Sequence, residues 1–210
     1  MSRDDRMEQT LEAAHELFAE RGYAAVTMDE IAAAVGVTKP LLYNYFGNKE
    51  RLYIACMERA GDSLINTIAE SVGESANPGD ALGAGVRAFF EFLDTDRAAW
   101  AVLFDETLPH GGEVFDRVAS YRGQIVDLVS ATLLTQLPDS RRERVKTEIE
   151  ALSTALLGAA EALARWWLRT EAISATEAAE LLVSTVEPGL RDRSTPTSTS
   201  DSPKGGNTPA

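Results

Sequence analysis

The sequence predicts an all-α fold in two unequal parts, and three observations carry that reading. Helix-forming residues dominate from residue 4 to 190. Sustained period-two alternation of β-branched residues, the mark of a half-buried strand, is missing throughout. Breaks fall where glycine, proline and capping residues cluster, at GESANPGD, LPHGG and LPDS, and they divide the chain into segments of helical length.

Each segment has its own start and stop. Met7, Leu11, Ala14 and Phe18 recur at helical spacing, and Gly22 follows as a C-terminal stop, giving the first helix. Thr27 with Glu30 three residues on is a capping-box signature that opens a short second helix through Val35, ended by Gly36. Thr38 is placed to cap the third, with Pro40 in its first turn, where a missing N–H is harmless. Asn48 caps a longer fourth helix, carried by Leu52, Ala55, Leu64 and Ile68 as far as Ser71. Later helices are expected over 78–94, 97–107, 113–136, 140–170 and 175–190, the last opened by a capping box from Ser174 to Glu177. From Arg191 onward the chain reads RDRSTPTSTSDSPKGGNTPA, too poor in apolar residues to offset the entropy of ordering, so a disordered tail over 191–210 is expected.

Bulk properties narrow the function classes. No run of ~18 apolar residues suggests a membrane span. The opening MSRDDRME mixes acids and bases with no apolar stretch behind it, so no secretory signal is expected and the reading places the protein in the cytoplasm. Cys56 is the single cysteine and is read as core, which excludes an intrachain disulfide and a multi-cysteine metal site. His15 and His110 lie far apart without clustered carboxylates, so neither a metal nor a cofactor is expected. The net charge of −13 argues against a broad basic surface. Residues 1–52 carry six bases against nine acids, yet between Val35 and Lys49 there is no acid at all, while Lys39 and Lys49 bracket the segment. That stretch is suited to approach phosphate.

The same stretch carries the motif. TMDEIAAAVGVTKPLLYNYF, residues 27–46, reads helix, glycine turn, helix. Ile31 and Val35 stand one turn apart, as do Leu42 and Phe46, so each helix has an inward face that can pack on Leu11 and Phe18. The second helix must then present Lys39, Pro40, Tyr43 and Asn44 outward. In a major groove Lys39 can donate to guanine, Asn44 suits adenine or a phosphate, and Pro40 with Leu41 can contact thymine methyls. Tyr43, Tyr45 and Lys49 have the reach to donate to backbone oxygens; Thr27 stands at a helix N-terminus whose free N–H groups attract phosphate, and Thr38 at the next one joins the same candidate set. Short helices joined by glycine are also common in any helical bundle, so geometry alone leaves a purely structural reading open.

Resemblance adds to this. LEAAHELFAERGYAAVTMDEIAAAVGVTKPLLYNYFGNKERL resembles the N-terminal domain of the TetR family of bacterial transcription regulators, over about residues 6–53. The residues that carry it are Ala14, Leu17, Phe18, Gly22, Tyr23, Thr27, Ile31, Ala32, Gly36, Val37, Leu42, Tyr43, Tyr45, Phe46, Lys49 and Glu50. Pro40 stands where many members have glycine or another small residue, which bears on base preference and not on the fold. The resemblance implies an N-terminal three-helix helix-turn-helix DNA-binding domain (1–53) and a C-terminal helical ligand-binding and dimerisation domain (54–190). It further implies a homodimer that binds a palindromic operator on double-stranded DNA and represses until a small-molecule effector enters.

On the segment 140–170, Ile149, Leu152, Leu156, Leu163 and Trp167 form a stripe of large apolar residues, and Ala151, Ala155, Gly158 and Ala162 a stripe of small ones. The large stripe is expected to meet the chain's own core and the small one a partner helix, with Leu182, Val186 and Leu190 completing a four-helix dimer interface through the last two helices. The alternative is that both stripes face one monomeric core. Aromatic residues crowd the middle helices, mostly as core. A subset, Phe89, Trp100, Phe104, His110, Tyr121 and Trp166, is the candidate lining for an apolar or aromatic effector, with Glu106, Arg122 and Thr154 as nearby polar groups. The arginine run Arg141–Arg144 lies at a helix N-terminus, the unfavourable end for cations, and is read as a solvated face. An all-helical enzyme fares poorly, because no nucleophile elbow, phosphate-cradling glycine loop or metal-ligand spacing appears and no catalytic residue is expected. A helical interaction module that keeps the helix-turn-helix as scaffold stays open.

Overall fold

Helix boundaries in the structure follow local capping chemistry. The computed structural model describes residues 2–105, 108 and 111–194, and among them nine α-helices succeed one another without a strand. Helix α1 (Arg3–Ala25) opens on a reciprocal box in which Ser2 N–H donates to Asp5 and Asp5 N–H donates to Ser2 Oγ. Gly22 does interrupt it, at φ 75° and ψ 161°, a conformation essentially reserved for glycine, but the helix resumes to Ala25. Helix α2 (Met28–Val35) starts on the Thr27–Glu30 box and ends at Gly36, whose left-handed backbone lets its N–H reach the Ala32 and Ala33 carbonyls. Helix α3 (Lys39–Phe46) has Thr38 at its N-cap position, although the threonine side chain makes no capping hydrogen bond there. Asn48 caps α4 (Lys49–Gly73) by accepting the Arg51 N–H at 2.8 Å.

Helices α5 (Pro78–Thr95), α6 (Arg97–Leu103), α7 (Glu113–Thr135), α8 (Asp139–Thr170) and α9 (Ala175–Ser194) complete the described chain. Two boundaries differ from expectation. Helix α6 stops at Leu103, short of residue 107, with the Phe104 N–H closing the last turn on Trp100. Helix α9 runs through Ser194, past Pro188 and past the expected start of the tail. Proline removes one i→i−4 bond, which a helix tolerates best near an end. Residues 195–210, the rest of the expected tail, lie outside the described residues.

Helix α4 is the axis of the packing. It lies against α1, α5, α6 and α7 and touches α3. One continuous core runs from Ala14, Phe18 and Leu42 at the N-terminal end through Leu52, Met57 and Leu64 to Phe90 and Trp167. At its centre Tyr53 is fully buried, donates its hydroxyl to the Val102 carbonyl at 2.6 Å, and packs edge-on against Phe18 and Tyr23. The arginine run at the start of α8 has a task the sequence did not disclose. Arg142 Nε donates to the Leu134 and Leu137 carbonyls, so it caps the C-terminal end of α7, where cations are favoured. Among the described residues no helix is long and apolar enough to cross a membrane.

Helix α8 separates its two stripes as expected. Leu156 and Trp167 are buried, while Ala151, Ala155, Gly158 and Ala162 face outward. On α9 the expected face is rotated by one position: Leu182 packs inward at 6% exposure, and it is Leu181, at 52%, that faces out. Val186 is half-buried.

Cys56 is buried between α4 and α1, its Sγ directed to the Leu11 carbonyl, and burial pushes its thiol up to about 12. The native protein is therefore expected to resist iodoacetamide at pH 8 and to react fully in denaturant. Rapid labelling of the folded protein would contradict this placement.

Candidate functional site

Helices α2 and α3 are joined through Gly36; α2 packs on α1, α3 packs on α2 and α4, and Ile31, Ala32 and Leu42 are buried in the same core as Ala14 and Phe18. This seating turns the other side of α3 to solvent. Lys39, Pro40, Tyr43 and Asn44 are exposed, and Leu41 and Tyr45 half-buried. Six of the nine expected DNA-contacting side chains thus share one surface on one helix. Thr38 flanks them, exposed at the helix start. Thr27 is exposed too, but its hydroxyl is engaged with Glu30 on both sides, donating to the carboxylate at 2.7 Å and accepting the Glu30 N–H.

The charges around this surface are already paired in part. The Asp29 carboxylate accepts from Lys39 at 2.8 Å and holds that ammonium above its usual range. Both groups are solvent-exposed and screened by water, so exchange of this partner for another acceptor meets little resistance. Hydrogen bonds from Thr27 and Arg21 hold Glu30 at about 2. The α2 cap therefore stays charged at neutral pH and is lost only on strong acidification. Arg3, which the sequence reading did not single out, is brought over the Tyr45 ring, 5.4 Å from its centroid, and adds a cation beside the surface. Helical spacing could not reveal this, since Arg3 and Tyr45 are distant in sequence.

Lys49, expected at a phosphate, is already engaged within the protein. Its ammonium donates to the Tyr23 carbonyl at 2.9 Å and the Val26 carbonyl at 3.0 Å, and lies 4.3 Å from the Tyr23 ring centroid. It satisfies the carbonyls left open where α1 ends, and so ties α1 to the start of α4.

The candidate effector residues divide. Phe89 lines a cavity of about 50 Å³ enclosed by α4, α5, α7 and α8, whose wall is aliphatic apart from Phe89 itself and Thr132. The Thr132 hydroxyl is bonded to the Leu128 carbonyl, leaving little to meet a polar ligand. Phe104 and Tyr121 line a second space of about 20 Å³, and Ile125 borders both. Trp100 stacks on Phe104 at 4.0 Å, outside the lining. The Tyr121 hydroxyl reaches Asp62 at 2.8 Å and the Glu58 carbonyl at 3.2 Å on α4, and its ring sits where a Cβ on Gly61 would approach within 2.7 Å. Trp166 is a correction: it stands 38% exposed on the outer face of α8, away from both spaces. His110 and Glu106 lie outside the described residues. Arg122 is paired in two-pronged fashion with Glu161, and Thr154 is exposed. The wall residues that reasoning missed, such as Ile68, Val72 and Leu128, carry no signal that separates a cavity wall from ordinary core. Among the described residues no group of three or more metal-ligating side chains converges.

Two family models match the chain: bacterial regulatory proteins of the TetR family over residues 11–56, and tetracyclin repressor-like C-terminal domains over residues 78–187. Similarity to the HTH-type transcriptional activator FasR of Mycolicibacterium smegmatis is 39% identity over 105 residues, covering 50% of this chain and 48% of FasR. The chain thus spans about half of that relative's length. A solved TetR-like transcriptional regulator from Rhodococcus sp. RHA1 superposes with a TM-score of 0.74 at 30% identity, covering 91% of this chain and 98% of that one. AibR, solved with isovaleryl coenzyme A and operator DNA, has the same fold at 24% identity and a TM-score of 0.67, covering 87% of this chain and 98% of its own.

Lys49 and Tyr43 separate by role. Lys49→Met should destabilise the protein by about 2–3 kcal/mol, the value of charge-assisted hydrogen bonds left unmade. Tyr43→Ala should change stability by less than about 0.5 kcal/mol, as for a surface side chain. Urea denaturation of both variants checks the contrast, and equal stabilities would refute the tie assigned to Lys49.

Proposed function

The chain belongs to the TetR family of bacterial regulatory proteins, a family of transcription regulators and not of enzymes, and on that premise we propose that it is a cytoplasmic, ligand-responsive repressor that binds a palindromic operator as a homodimer. The observation that carries the proposal is the outward face of α3, where Lys39, Pro40, Tyr43 and Asn44 stand clear of the core on a helix locked from behind by Leu42. Bases would be read by Lys39 and Asn44, with apolar contact from Pro40 and Leu41. Register on the backbone would come from Tyr43, Tyr45, Thr27 and Thr38. The 39% identity to a named activator makes activation the second reading, and a reporter assay decides the sign.

Selection of bound fragments from the source genome, followed by gel shifts at moderate salt, is the test. A short palindrome whose binding is lost in Tyr43→Ala is expected, and the absence of any sequence-specific binding would refute the proposal. Two recognition helices must meet half-sites ~34–36 Å apart, so the dimer is part of the mechanism. We propose its interface at the outward small-residue stripe of α8 with Leu181 of α9. A side chain at Gly158 would meet nothing within 4 Å in the protomer, so Gly158→Arg should leave the fold intact and shift sedimentation to monomer. An unaltered dimer would move the interface elsewhere.

The effector is proposed to present an aliphatic group, since the wall of the space lined by Phe89 offers almost no polar partner. Acyl-CoA thioesters, the class represented by the AibR ligand, are the first probes. An acyl-CoA should raise the melting temperature and weaken operator binding, whereas free CoA should do neither. If no acyl-CoA from short to long chain stabilises the protein, this effector class is wrong.

A further inference from the structure

Tyr23 is held from two sides by different parts of the molecule. Gly22 leaves the helical ladder at φ 75° and ψ 161°, so the next peptide is turned away from the α1 axis. The Tyr23 N–H meets the Asp105 carboxylate at 2.6 Å, across 82 residues of sequence. The Tyr23 carbonyl receives the Lys49 ammonium at 2.9 Å. Lys49 opens α4 three residues after Phe46 ends the recognition helix, and Asp105 follows Phe104, a wall residue of the smaller cavity. A single residue of the DNA-binding unit is therefore bonded both to the cavity's edge and to the base of the recognition helix. Upstream of Asp105 the end of α6 is pinned to α4 by the buried Tyr53–Val102 bond.

We propose that Asp105 is a positioning residue for operator binding: its carboxylate, by holding the Tyr23 N–H, fixes the angle at which each protomer presents its recognition helix. The proposal rests on the operator reading above and adds the residue that sets the geometry. An acceptor is what the position requires, so Asp105→Asn retains the function through its amide oxygen, and Asp105→Ala removes it. The consequence is specific to spacing. Inserting or deleting one base pair between half-sites moves one of them by ~3.4 Å and rotates it about the duplex axis, and a rigid pair of recognition helices rejects both changes. A dimer with loosened helices keeps its contacts but loses that discrimination.

The test uses the full-length protein and the operator duplex recovered by genomic selection, with its natural spacing and with one base pair added or removed. Amide exchange over residues 19–30 is measured in parallel without DNA. Asp105→Ala is expected to bind the natural duplex ~10-fold more weakly, within the range of ordinary coupling between sites. Its preference for natural over altered spacing should shrink at least ~3-fold, and exchange near Tyr23 should quicken. Asp105→Asn should stay within ~2-fold of wild type on all three duplexes. If Asp105→Ala does not fold, Asp105→Ser, whose oxygen stops short of the Tyr23 N–H, carries the same comparison. Unchanged exchange, or equal weakening on all three duplexes, overturns the proposal, because the residue would then be ordinary packing. A wild-type protein that recovers no operator fails the operator reading first, and this role falls with it; the wild-type control separates that failure from failure of the clamp.

Discussion

Tyr53 places a large polar side chain where both halves of the molecule meet, and burial forces it to choose a partner. A phenol with no exposure must donate its proton or leave it unpaired at a cost of about 1–3 kcal/mol. The acceptor here is the Val102 carbonyl on α6, and the ring fills the space between Phe18 and Tyr23 of α1. One residue of α4 thereby fixes α1 and α6 relative to each other. The DNA-binding unit is consequently no independent bead on a linker, because its first helix shares a continuous core with the effector region. Any rearrangement around the cavity that displaces α4 or α6 reaches α1 through this contact.

An acidic protein can still offer DNA a suitable face because charge acts where it is placed. The net charge of −13 resides mostly beyond the recognition segment. Within that segment α3 has no acid in its first turn, and the nearby Asp29 is matched by Lys39. The surrounding negative charge then has a use: at physiological salt, where the Debye length is about 8 Å, it repels a duplex that approaches any other surface, while acting weakly across the recognition face.

Legibility in the sequence followed the range of the interaction. The Thr27–Glu30 box, the Gly36 stop, the Asn48 cap and the inward pairing of Ile31 with Leu42 are local, and their residue types and spacing point to them directly. The carbonyl partners of Lys49 are not legible because they lie 23 and 26 residues away, and nothing at its own position distinguishes an ammonium that meets carbonyls from one that meets only phosphate. Arg142 was misread for a related reason: it stands at the N-terminus of its own helix but at the C-terminus of the neighbouring one, and only the second matters to its bonds. Periodicity places residues on a common face of α9 but leaves the rotation open, which is why Leu181 and not Leu182 faces out. The candidate cavity was half visible: aromatic residues drew attention to Phe89, Phe104 and Tyr121, yet the same criterion selected Trp166, and it passed over the aliphatic wall.

The size of that cavity constrains how an effector can act. About 50 Å³ accommodates a few water molecules, less than a branched acyl group displaces. Space must come from parting the helices that form the wall, and beside the adjoining smaller space α4 and α7 are held together by Tyr121, whose ring is lodged against Gly61 and whose hydroxyl is bonded to Asp62. The closed packing and the ligand-filled packing are then alternative arrangements of one interior, since close-packed cores shift between discrete states more readily than they stretch. A ligand that requires the open arrangement binds it by definition better than the closed one, and that difference is the only quantity able to change operator affinity. Because α4 begins beside the recognition helix and ends at the cavity wall, the proposed effector site and the base of the recognition helix share one element.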